Sequence, residues 1–81
     1  MVGLVAALAA GPAIAVDIRN EDRVDHDAVI IEEGVGFRLL LTAGETESDV
    51  CGACRIAIER VGTIEAEGAD VVVIKDRALS R

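Results

Sequence analysis

The sequence predicts a small all-β domain, an antiparallel β-sandwich or barrel, preceded by a signal peptide. Three observations carry this expectation. From Val16 onward, polar and apolar residues alternate with the period of two that a half-buried strand requires. Short apolar segments then recur at spacings of about ten residues, divided by turns that carry Gly, Asp and Glu, the rhythm of small sandwiches. The segments are also rich in β-branched residues, which pack well on a pleated surface and lose rotamer freedom in a helix.

The leader comes first. Val2 to Ile14 is an uncharged run of Val, Ala, Leu, Gly and Ile, interrupted by Gly11-Pro12 and closing on Ala13-Ile14-Ala15, the small-x-small pattern of a signal-peptidase site. No Lys or Arg precedes it. A membrane helix needs about twenty apolar residues, and Asp17, Arg19 and Asn20 end this run early. The expectation is therefore a cleaved leader over residues 1–15, a single domain over residues 16–81, and a periplasmic or secreted location.

Val16 and Ile18, with Asn20 if the strand reaches it, point one way, and Asp17 and Arg19 the other. Asn20 to Asp25 is polar and turn-forming. Ala28 to Ile31 reads as a buried strand closed by Glu32-Glu33-Gly34. Gly36 to Thr42 follows, with Phe37, Leu39 and Leu41 on one face, and Ala43-Gly44-Glu45 turns the chain. Arg55 to Arg60, Thr63 to Ala66 and Val71 to Lys75 complete six strands. Cys54, Ala57, Ile58 and Val61 also fall at helical spacing. The shortness of that segment and its isoleucines favour a strand. Ile18, Val29, Ile31, Leu39, Leu41, Ile56, Ile58, Val71 and Val73 are the expected core.

Composition narrows the function. The 81 residues carry a net charge of −7, all of it beyond the leader, and Phe37 is the sole aromatic. An acidic chain repels phosphate backbones and one aromatic makes no stacking platform, so nucleic-acid binding is set aside. Val16 is not a lipidatable cysteine and no second long apolar segment follows, which leaves no membrane attachment after cleavage. The carboxylates show no pairing as acid and base, and neither a nucleophile elbow nor a phosphate-binding loop is present. The expected protein is not an enzyme.

Two features can carry chemistry. The segment Val16 to Ile30 has the form apolar-x-apolar-x-Asn-x-Asp-x-x-x-His-x-x-apolar-apolar, with Asn20, Asp22 and His26 at its polar positions. It resembles the first half of a cupredoxin, the small secreted copper-binding β-sandwich, in which such a His ligates the metal. Leu41-Thr42-Ala43-Gly44-Glu45-Thr46 is similar to a turn common in that family. The resemblance implies a cupredoxin-like topology, here reduced in size. It does not extend to the second half: the loop before Val71 holds neither the second His nor the sulfur ligands that cupredoxins place there, and a blue-copper centre needs two His and one Cys. The plain reading of His26 is a partly exposed residue at a strand edge, flanked by Asp25 and Asp27.

Cys51-Gly52-Ala53-Cys54 is the second feature. Thiols three residues apart face opposite sides of a regular strand, so their joint use demands a turn at Gly52-Ala53. An oxidising compartment favours a structural disulfide. Two alternatives stay open. Two thiolates, with His26, would suit Cu(I), making a copper-handling protein with Cys51, Cys54 and His26 as metal ligands; zinc would need further ligands. A resemblance of Cys51 to Val61 to the CxxC and first helix of heavy-metal-associated domains points the same way. The pair would alternatively serve a thiol-disulfide oxidoreductase, although Glu47 and Asp49 nearby raise thiol pKa values and no βαβ pattern surrounds it. The expected role is binding or structural, without a cofactor, for a protein partner that the sequence does not define.

Overall fold

The computed structural model describes residues 15–81, so the expected leader, apart from Ala15, lies outside the described residues. Eight strands follow in chain order: β1 (Val16–Asn20), β2 (His26–Glu32), β3 (Val35–Leu41), β4 (Thr46–Cys51), β5 (Ala53–Ile58), β6 (Gly62–Glu67), β7 (Val71–Lys75) and β8 (Ala78–Ser80). They form two four-stranded sheets, in the orders β4-β1-β7-β8 and β3-β2-β5-β6. Val16, Ile18, Val72 and Ile74 from the first sheet pack in one core with Ala28, Ile30, Leu41, Ile56, Ile58 and Ala66 from the second. The all-β, two-layer expectation holds. One pairing departs from the antiparallel pattern: β1 and β7 run parallel, from Asp17 opposite Val71 to Asn20 opposite Ile74.

Two strands exceed the six expected. None of the six expected strands covers Thr46–Cys51, yet it forms β4 against β1. An edge strand needs only one apolar side, and β4 has little of that: the ladder is bulged opposite Asp17, and Asp49 takes a left-handed φ of 56° with its N–H donated to Asp17 Oδ1 at 3.0 Å. The other addition, β8, has three residues, too few for a periodic signal. The segment after Cys54 is a strand, as expected, and not a helix.

The core register needs correction on two strands. Ile18, Leu41, Ile56 and Ile58 are buried and Leu39 packs against the core, as expected. In β2, however, Ala28 and Ile30 face inward while Val29 and Ile31 are only half-buried on the outer side; in β7, Val72 and Ile74 face inward, Val73 is half-buried and Val71 exposed. Both runs are apolar at four successive positions, so alternation alone cannot say which face is buried. A slip of one residue inverts every side chain.

Turn chemistry fixes two hairpins. Glu33 and Gly34, with φ of 52° and 81°, join β2 to β3 in the two-residue form whose twist matches the strands. Asp76 and Arg77 join β7 to β8 with φ of 52° and 57°. Neither is glycine, so that turn is conformationally costly and needs outside support.

Candidate functional site

The chemistry-bearing residues fall into two separate places. The first is the junction between sheets. Residue Cys51 ends β4 in one sheet and Cys54 lies on β5 in the other, with Gly52 alone between the strands. The chain therefore changes layers at Gly52, which turns both side chains inward. The thiols form a disulfide, with Cα atoms 6.2 Å apart, and both cysteines are buried. Gly52 is held from both sides: its N–H donates to Glu32 Oε2 at 3.1 Å and its carbonyl accepts from Gly68 N–H at 3.0 Å. Charged groups of Arg55, Glu65, Glu67, Asp70 and Arg81 line the shallow recess above Cys54.

The second place is the turn after β1. Asn20 is fully buried; its Nδ2 donates to the carbonyls of Val24 and Leu41, each at 2.9 Å, and its Oδ1 accepts from Asp22 N–H at 2.9 Å. Asp22 is the hub. Its carboxylate accepts from His26 Nε2 at 2.8 Å, from Asp76 N–H at 2.6 Å and from Arg77 N–H at 3.2 Å. A carboxylate can only accept, which places the proton of this bond on Nε2. The two amides belong to the costly β7–β8 turn, so Asp22 supplies the support that turn requires. All buried side-chain nitrogens and oxygens among the described residues have partners.

His26 therefore differs from its expected setting. It is 8% exposed, not partly exposed at an edge, and its partner is Asp22 four residues earlier rather than Asp25 or Asp27. Asp22 preceding His26 by four, on a turn opened by Asn20, was the available sequence signal; the adjacent Asp25 and Asp27 face outward and obscure it.

Nor does the fold bring His26 to the cysteines. The β2–β5 ladder sets Ala28 opposite Ile58 and Ile31 opposite Arg55. Continued, it places Cys54 beside Glu32 and His26 beside Arg60, at opposite ends of the strand pair, about 20 Å apart at 3.4 Å per residue. No group of three or more His, Cys, Asp or Glu among the described residues is arranged to hold a metal ion.

The Asp22 network makes stability depend on acid. The His26 hydrogen bond first, then the amides of Asp76 and Arg77, hold the Asp22 carboxyl below its ordinary value of 3.8 against the opposing effect of desolvation. A depressed carboxyl pKa contributes stability that is present in full above the unfolded value and is lost as pH falls through the folded one. Urea midpoints should accordingly fall as pH drops below about 4, and Asp22→Asn should flatten this dependence. An unchanged acid slope in that variant would remove Asp22 from the account.

No protein-family model matches the chain, and comparison with the curated proteins and with the solved structures finds no match. What fold and geometry define is a two-sheet β-sandwich stapled between its layers by a CxxC disulfide.

Proposed function

We propose that this is an exported, non-catalytic binding or structural protein, a β-sandwich of reduced cupredoxin-like topology in which the metal centre is replaced by covalent and hydrogen-bonded pins. The observation that carries the reading is the buried Cys51–Cys54 disulfide at the crossing between sheets. A domain of this size has a thin core, and staples commonly supplement one. The disulfide fits an oxidising compartment and the leader fits delivery to it. The Asn20, Asp22 and His26 positions that resemble a copper-binding half-site are occupied in holding the β7–β8 turn.

Intact mass of the native protein tests the reading in one measurement. The expected product begins at Val16, is two hydrogens lighter than the reduced chain and carries no free thiol. A product retaining residues 1–15 sinks the export reading, and free thiols sink the staple. Reduced protein that binds stoichiometric Cu(I) in competition with a chelator, lost in Cys51→Ser and Cys54→Ser, would promote copper handling instead.

The staple closes a short loop, so its removal has a bounded cost. Loop-closure entropy for so few residues gives about 2 kcal/mol. Double substitution of Cys51 and Cys54 by Ser should lower stability by that amount in chemical denaturation. A loss near zero would mean that Gly52 and its hydrogen bonds hold the crossing unaided.

A further inference from the structure

In the recess above Cys54 the charged groups satisfy one another: Arg55 pairs with Glu65 at 3.0 Å, and Arg81 Nη1 donates to the Glu65 carbonyl at 2.7 Å. A second recess, of about 450 Å³, differs in this respect. It lies at the end of the sandwich where His26 opens β2 and the β5–β6 and β7–β8 turns come together. Asp25, Asp27, Glu59, Arg60 and Arg77 line it, yet none of the five belongs to an ion pair among the described residues. Of their charged groups, only the Asp25 carboxylate has a hydrogen-bond partner there, the Ala43 N–H at 2.8 Å.

Two further observations point to a ligand. His26, itself more than nine-tenths buried, lines this recess with one ring nitrogen unused. Its Nε2 is bonded to Asp22, and its Nδ1 has no partner among the described residues. Every fully buried side-chain nitrogen there is partnered, so Nδ1 is open to the recess. With the hydrogen on Nε2, Nδ1 of the neutral ring presents a lone pair. The arginines are the second observation. Arg60 and Arg77 take left-handed φ values of 68° and 57°, a conformation that Gly or Asn adopts at lower cost. The turns of two different sheets thus each carry a guanidinium to one recess. Asp22 joins the parts, since the carboxylate that fixes the His26 ring also accepts the Arg77 N–H at 3.2 Å.

We propose that this recess binds a small zwitterion, a free α-amino acid with a short aliphatic side chain; the proposal rests on the reading of the chain as a binding protein. Arg60 and Arg77 take the carboxylate, whose two oxygens match a guanidinium fork. His26 Nδ1 and the carboxylates of Asp27 and Glu59 accept from the three donors of the ammonium. The exposed Val24 and half-buried Val61 give the aliphatic group an apolar wall. Charge selects this class. An anion would lie beside three carboxylates and a cation beside two guanidiniums, whereas a ligand of both signs complements the whole set. Because the charged groups are exposed, water and salt screen them, and a dissociation constant of about 1 mM is expected.

Calorimetric titration of the purified protein with L-valine, isovalerate and isobutylamine tests this, the last two lacking the ammonium and the carboxylate respectively. L-valine should bind saturably, and each analogue at least about tenfold more weakly, the effect of losing one set of charge-assisted hydrogen bonds. Arg60→Gln and Arg77→Gln should each weaken L-valine by a similar factor while melting like the wild type, since both side chains are exposed. His26 is the sole histidine, so its ring resonances are unambiguous and should shift on addition of L-valine. No saturable binding of L-valine, or an analogue that binds as tightly, would overturn the proposal; the second result would make the recess a site for simple anions or cations. Unchanged ring resonances at saturation, or undiminished binding by both arginine variants, would overturn it equally. Any of these failures leaves the mature terminus and the disulfide standing, because intact mass reads those separately.

Discussion

Ile30→Ala should lower the unfolding free energy by about 3 to 4 kcal/mol, whereas Val29→Ala, one residue before it, should cost about 1 kcal/mol or less. Ile30 is fully buried between the sheets, where removing three carbons leaves a cavity the thin core cannot collapse. Val29 sits on the outer face opposite Arg38 and Ala57, and loses only part of an already half-hydrated side chain. A domain this small has a stability of only about 5 kcal/mol, so Ile30→Ala should stand near the edge of unfolding at room temperature. Paired urea titrations decide it. Equal losses, or a larger loss at Val29, would mean that β2 is slipped by one residue.

Asn20→Ala is expected to be nearly as damaging, at about 3 kcal/mol, although it removes no large apolar group. Its amide ties the turn after β1 to the Leu41 carbonyl at the end of β3, and so joins the two sheets through a polar contact inside the core. Without it, two carbonyls and the Asp22 N–H lose their partners, and each unsatisfied buried group costs about 1 to 3 kcal/mol. Asn20→Asp is the sharper comparison. The carboxylate still accepts from Asp22 N–H, but it cannot donate and it buries a charge against the Leu41 and Val24 carbonyls. It should be less stable than the Ala variant at neutral pH. Thermal melts of both variants should show this order, and an Asn20→Asp protein that melts with the wild type would refute the buried donor role.

Much of the fold was legible in the sequence because its strands carry one-sided patterns. Val16 and Ile18 alternate with Asp17 and Arg19, and Ile56 and Ile58 with Arg55 and Glu59, so both face and register can be read directly. Legibility failed where the pattern is two-sided or absent. Ala28 to Ile31 and Val71 to Ile74 are apolar on both faces, because the outer face is itself half-covered, and a period cannot be read from a continuous run. β4 failed for the opposite reason: Glu47, Ser48 and Asp49 lie on a bulged edge with little to bury. Of the candidate site, the joint use of Cys51 and Cys54 through a sharp turn was readable from their spacing and the small residues between them. The burial of His26 was not. It depends on the Asp76 and Arg77 amides, more than fifty positions away, which draw the Asp22 carboxylate to where it meets the ring.

The parallel union of β1 with β7 also sets when the molecule can exist. Asp17 meets Val71 across 54 positions of sequence, nearly the whole length of the described chain. Loop-closure entropy is met in full before that ladder contributes anything, which is the condition for slow, topology-limited folding in milliseconds to seconds. A growing polypeptide has one flank of β1 bare until β7 has been synthesised. Loss of Val71–Lys75 removes the central partner of a sheet rather than trimming an edge. The architecture thus acts as a proof of length, since a native sandwich forms only from a chain translated through Lys75.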